Sequence, residues 1–387
     1  MNKKEVSEIR KLFSKDNGTI DRICGCYVDS EKTKKMVMKE AYLSLPQEEM
    51  LKYAEIFKKG LSGTIDKNLL NLAFPLQIEL SGETIRGLRM LKDSALEDET
   101  CLEGFYDRII ETYQYPGNYL ILLAHGNYDV PGKGSDHLDL FDASEEVYAF
   151  ILCCICPVNL TKAGLCYNAE ENMFSDRLQE WMVDMPETAF LYPAFNDRSS
   201  DLHGLLYYTK NPEEQHGELA DELLGLSVPP TVKSQKDLFN CIVEETFGRD
   251  CDFEVAKSVH ESLQTIMQES KDEPETPVLE KESVARILMD CGASVNQVEH
   301  LEKDTELLVS EEKEAKLPVS NLVSGRKFEV KSPDVTIRIS PDRTDLIETR
   351  TIDGLEYLLI PMGDEVEVNG IRIRTGSGRE ENGEDAI

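Results

Sequence analysis

The chain has 387 residues, 74 of them acidic against 42 basic, and a formal charge of −32. That balance opposes unspecific attraction to nucleic acid or to an anionic membrane surface. The length exceeds one ordinary core and implies several domains, and 40% hydrophobic residues suffice to fold them.

The charge is unevenly placed. Residues 1–60 hold 13 Lys+Arg and 10 Asp+Glu, a net of +3, which leaves −35 on the remainder. A segment of this sign can dock on an acidic partner or on the acidic body of its own chain. Met1-Asn2-Lys3-Lys4-Glu5 leads into an amphipathic pattern without the apolar stretch of a secretory leader, and no apolar run is long enough to span a bilayer. The expectation is a soluble, cytoplasmic protein. Its ten cysteines fit that setting, because most sit inside apolar runs such as Phe150–Cys156 and read as small buried hydrophobes.

Val6, Ile9 and Leu12 at helical spacing predict a short opening helix that Asn17-Gly18 stops. Thr19 to Val28 and Lys35 to Leu43 read as a strand hairpin turning at Asp29–Lys32. Ser44-Leu45-Pro46-Gln47 has the order of a capping box, so a helix is expected from there to Lys59, burying Met50, Tyr53, Ile56 and Phe57. A further helix is predicted over 98–113, with Leu102, Phe105, Ile109 and Ile110 on one face. Tyr119 to Ala124 and Val147 to Val158 are apolar at nearly every position, the pattern of strands covered on both faces. Residues 177–184 are expected as helix. Two more strands, Phe190–Phe195 and Leu205–Tyr208, flank the polar turn Asn196–His203. Helices then follow over 211–224, 234–247 with Ser234 as cap, and 252–270.

This order implies an α+β fold. An N-terminal mixed sheet packed with helices occupies residues 1–225, with a helical extension over 226–270. Residues 271–316 form an acidic linker with helices; the stretch 269–316 holds 14 acidic and 6 basic residues. From Leu317 the apolar period becomes two, and Asp353-Gly354 marks a hairpin turn, so 317–375 reads as a small antiparallel β module. The glycine-rich, acidic tail 376–387 is expected to be disordered.

The turn between the last two strands gathers most of the reactive side chains. Asp197, Asp201 and His203, joined by His125 from the end of the first buried strand if the sheet brings it beside His203, are a candidate ligand set for a divalent metal. With Arg198 steadying an anionic substrate, Asp197, Arg198, Asp201 and His203 would carry metal-assisted hydrolysis of a phosphoester-like bond. The competing reading makes the same residues turn formers and ion-pair partners. Asp129, Asp136, His137, Asp139 and Asp142 form a second oxygen-rich cluster suited to a weakly held cation. Gly126 and Gly132-Lys133 superficially resemble a phosphate loop, but five residues separate them where four are required, and Gly134 stands where a hydroxyl should hold magnesium. Cys24-Gly25-Cys26 lacks zinc-knuckle spacing.

Asn2–Lys11, Arg22–Val28, Ile155–Leu160, Pro193–Ser199, Tyr207–Pro212 and the β module together resemble a bacterial family of unknown function, DUF 4317, found mostly in Firmicutes. The resemblance covers nearly the whole chain and implies no activity, cofactor or catalytic residue. Two readings of function follow from the residues. One is a non-catalytic interaction or regulatory protein that presents its acidic arm and β module to a protein partner. The other is the metal-assisted hydrolase.

Overall fold

A computed structural model describes residues 1–14, 18–74, 83–133, 139–271, 273, 276–298, 317–323, 327–362, 366–368 and 371–373. The chain divides into two compact units: residues 1–238 with 272–276, and residues 239–271 with 277–387.

The first unit is an antiparallel sheet covered on both faces. Helix α1 (Lys3–Lys11) is started by a capping box in which Asn2 Oδ1 accepts from the Lys4 and Glu5 amides at 2.9 and 3.1 Å, while the Asn2 amide donates to Glu5 Oε2 at 2.7 Å. Strands β1 (Ile20–Val28) and β2 (Lys34–Ala41) form the expected hairpin. Helix α2 (Gln47–Gly60) begins at Gln47 without a side-chain cap, because Ser44 Oγ donates to its own preceding turn, at Ala41 O. The capping box predicted at Ser44 is therefore not made. Strand β3 (Leu69–Ala73) and helix α3 (Glu83–Asp93) have no counterpart in the sequence reading, whereas α4 (Glu99–Thr112) does, capped by Asp98.

Two long strands follow, β4 (Asn118–Lys133) and β5 (Asp139–Leu160), then the small hairpin β6 (Leu165–Asn168) and β7 (Met173–Asp176), β8 (Trp181–Val183), β9 (Thr188–Tyr192), the hairpin β10 (Ala194–Asn196) and β11 (Ser199–Asp201), and β12 (Gly204–Thr209). The main sheet runs β2-β1-β4-β5-β9-β12-β3, with β8 beside the end of β5. Every pairing within it among the described residues is antiparallel, so the parallel component of the expected mixed sheet is not found there. The helix expected over 177–184 is also replaced: Trp181, Met182 and Val183 pair with Leu160, Asn159 and Val158, and ladder bonds to β5 prevail over the local helical period.

Alternation sorts the apolar strands onto two cores. Ile121, Leu123, Cys153, Ile155, Tyr192 and Tyr207 face one way, toward α3 and α4. Leu120, Leu122, Cys154, Cys156, Leu191 and Tyr208 face the other, toward α1 and α2. Such double-sided burial explains the near-continuous apolar runs. All ten cysteines are free, and burial pushes the Cys24 and Cys26 thiols up to about 11 and that of Cys153 higher still, so these are packing residues rather than nucleophiles.

Helices α5 (Val232–Phe247), α6 (Phe253–Glu269) and α7 (Lys281–Asp290) come next, and the division between the units falls within α5. At the head of α5 it is Thr231 whose Oγ1 accepts from the Ser234 amide, not Ser234 that caps. Of the helix expected over 211–224 only residues 217–223 form, the last five, Leu219–Leu223, as a wide turn.

In the second unit β13 (Val278–Leu279) pairs with β14 (Leu317–Pro318). Three further hairpins follow: β15 (Phe328–Lys331) with β16 (Thr336–Ile339), β17 (Glu348–Ile352) with β18 (Leu355–Leu359), and β19 (Val366–Val368) with β20 (Ile371–Ile373). Asp353 and Gly354 both have positive φ, as a two-residue hairpin turn of this hand requires. The period-two segments are therefore antiparallel as expected, but they make separate two-stranded ladders among the described residues. The acidic stretch 299–316 and the tail 376–387 lie outside the described residues. No helix among the described residues is long and apolar enough to cross a membrane.

Helix α2 reaches the sheet through Gly60, where an added Cβ would come within 2.9 Å of Cys154 Sγ and 3.0 Å of Ala189 Cβ. Gly60→Val is expected to lower the unfolding free energy by about 1 to 3 kcal/mol, read as a reduced urea midpoint with unchanged slope.

Candidate functional site

The polar turn is built as a tight hairpin. Asn196 pairs with Ser199, and the two residues between them, Asp197 and Arg198, adopt φ of 49° and 59°. That left-handed pair matches the twist of the flanking strands, and its cost in a non-glycine residue is held by contacts around it. Those contacts come from α1. Glu5 Oε1 accepts from the Asp197 amide at 2.9 Å, and Glu8 meets the Arg198 guanidinium through both carboxylate oxygens, at 3.0 and 3.1 Å. Arg198 Nη2 also donates to Pro131 O at 2.9 Å, and Tyr128 Oη to Glu8 Oε1 at 2.8 Å. On the other limb the Ser200 amide donates to Glu146 Oε1 at 3.0 Å.

Asp201 is committed to the following turn. Its Oδ2 accepts from Asn196 Nδ2 at 2.6 Å and its Oδ1 from the His203 amide at 3.0 Å. A Cβ at Gly204 would sit 2.5 Å from Asp201 Oδ2, so the absence of a side chain there admits the carboxylate. His203 continues the β12–β3 edge by accepting from the Phe74 amide through its carbonyl at 2.8 Å. Its ring Nδ1 is buried with no hydrogen-bond partner among the described residues.

His125 is elsewhere. It lies on β4 opposite Ile151, which lies opposite Tyr192 of β9, and β12 is the next strand along. Three inter-strand spacings therefore separate His125 from β12, about 14 Å. Ligands of one metal ion must lie within a few ångströms of one another, so the structure does not bring His125 to Asp197, Asp201 and His203. Among the described residues no group of three or more His, Cys, Asp or Glu could hold a metal ion. His125 has its own partners: Nδ1 is 3.0 Å from Asp21 Oδ2, which also accepts from Asn127 Nδ2 at 2.7 Å.

Of the second polar cluster, Gly132, Lys133 and Asp139 belong to the paired ends of β4 and β5, so the phosphate-loop geometry of a strand turning into a helix is not formed there. Gly134, Asp136 and His137 lie outside the described residues. The residues the sequence reading passed over are Glu5, Glu8, Asp21 and Glu146, which supply the acceptors for the hairpin and for His125. Glu5 carried the one legible signal, three positions after Asn2 in the capping box; the others lie far in sequence from the groups they meet.

Burial, above all, holds the His125 imidazole below its ordinary range, against the opposing pull of Asp21 and a hydrogen bond to the Lys92 backbone. A depressed folded value means the unfolded chain takes up the proton first. Stability contributed by the neutral ring is complete above about pH 6.5 and is lost as pH falls below it, with a slope of at most about 1.4 kcal/mol per pH unit. His125→Gln is expected to flatten the decline in denaturation midpoint between neutral and mildly acidic pH. Arg198→Ala, which leaves Glu8 and Pro131 O without their shared donor, is expected to cost about 1 to 2 kcal/mol in chemical denaturation.

Comparison with known proteins gives one family: the model described as "Domain of unknown function (DUF4317)" matches residues 1–371, and the chain belongs to that family. No curated protein and no solved structure matches the chain.

Proposed function

We propose that this DUF4317 protein is a cytoplasmic, non-catalytic interaction factor that engages a protein partner through its C-terminal β module and the neighbouring acidic arm. The observation that carries the reading is the β17–β18 hairpin. Its register places Ile352 opposite Leu355 and Arg350 opposite Tyr357, so Ile352, Leu355 and Tyr357 share one face. That face is solvated: the three side chains are 44%, 62% and 43% exposed.

A two-stranded ladder with neither face covered is marginal in water, and an apolar stripe on it gains by being buried against another molecule. Unpaired strand edges allow a partner peptide to extend the ladder. The buried, reduced cysteines support a reducing compartment. The candidate hydrolytic side chains offer no comparable support, since Arg198 and Asp201 are engaged in holding their own hairpin.

The test is cross-linked capture from the native lysate with the whole chain and with the triple variant Ile352→Ser, Leu355→Ser, Tyr357→Ser. A partner recovered with the parent chain should fall at least about tenfold with the variant, while circular dichroism stays unchanged. Equal recovery from both chains, or none from the parent, would overturn the proposal.

A further inference from the structure

Between β5 and β9 the chain makes an excursion, residues 160–185, that buries no side chain. It contains the β6–β7 hairpin and β8, and it is rich in large apolar residues. Leu165 is 74% exposed, Phe174 68%, Leu178 83% and Trp181 58%. Pairing of Tyr167 with Phe174 and of Leu165 with Asp176 puts Leu165, Tyr167 and Phe174 on one face, with the two rings 5.6 Å apart. Single exposed apolar residues need no explanation, but a run of this density marks a contact surface.

Charge indicates what that surface takes. Glu170, Glu171, Asp176, Glu180 and Asp184 stand against Lys162 and Arg177, a net of −3 on the excursion. A second copy of a −32 chain would bring like charge to like charge. Exposed aromatic faces attract the same ligands that carboxylates do, since an ammonium or guanidinium over a tyrosine, phenylalanine or tryptophan ring is held by the ring quadrupole. The backbone adds a third element: β8 pairs with β5 along one edge and with no described strand along the other, which leaves its amides and carbonyls open to an added strand.

We propose that the β6–β8 excursion is a docking surface for an extended, lysine- or arginine-bearing segment of another protein, which pairs along β8 and sets alternate side chains against the aromatic face and the flanking carboxylates. This surface belongs to the first unit and is independent of the β17–β18 hairpin.

Trp181 is the single tryptophan of the chain, so its emission reports on this surface alone. The experiment titrates the whole protein with a synthetic peptide of about nine residues, strand length, alternating lysine with valine and phenylalanine. Parallel titrations use a glutamate-for-lysine counterpart and an all-lysine peptide. The expected result is a saturable blue shift with the alternating lysine peptide alone, weakened by salt, and at least about tenfold weaker binding after the paired substitutions Leu165→Ser and Phe174→Ser, with circular dichroism unchanged. No shift overturns the proposal. So does an equal shift with the glutamate peptide, which would mean apolar adhesion without charge selection, or with all-lysine, which would mean attraction by net charge. A shift that grows with protein concentration without peptide also overturns it, by making a second copy the occupant.

Discussion

The antiparallel ladder between β4 and β5 is the constraint on which the first unit depends. It runs in unbroken register from Asn118 opposite Val158 to Val130 opposite Glu146. Because side chains alternate with a period of two, a slip of one residue would exchange the two cores, sending Ile121 and Leu123 toward α1 and α2 and Leu120 and Leu122 toward α3 and α4. The same register puts His125 among the side chains facing α3 and α4. It also carries β4 far enough for Pro131 to receive Arg198, and β5 far enough to hold β8 beyond the main body of the sheet.

Seen from this ladder, the polar hairpin is a fastening. Its reactive side chains are of the types that perform hydrolysis, yet Arg198 is clasped by Glu8 and Pro131, Asp201 by Asn196 and the His203 amide, and the Asp197 amide by Glu5. Each of these bonds ties residues near the middle of the chain to α1, to the end of β4 or to the neighbouring turn. The positive segment 1–60 thus contributes carboxylates as well as cations to docking within its own unit, and its net sign describes the contact poorly.

How much of this was legible in the sequence follows from the range of each signal. The buried strands around Leu122 and Ile155 were readable because burial on both faces leaves an apolar residue at every position. The helix α4, from the spacing of Leu102, Phe105, Ile109 and Ile110, and the turn at Asp353-Gly354 were readable because their signals are local. Residues 177–184 were misread as helix, since Trp181 to Val183 acquire their conformation from Leu160 and its neighbours, some twenty residues away. The candidate site suffered in the same way: residue types marked the turn correctly as polar and turn-forming, but whether His125 approached it depended on strand order, which no local pattern encodes. The placement of β3 at the sheet edge, paired with β12, was invisible for that reason too.

The excursion carried at the end of β5 has a consequence for how the protein can change over evolutionary time. Neither hydrophobic cluster draws a residue from 160–185. Substitutions in that stretch are therefore released from the packing penalties that restrict the strands on either side, and drift there alters what the molecule meets without eroding the scaffold that holds it. Related chains with the same central ladder can in this way acquire different affinities while keeping one architecture.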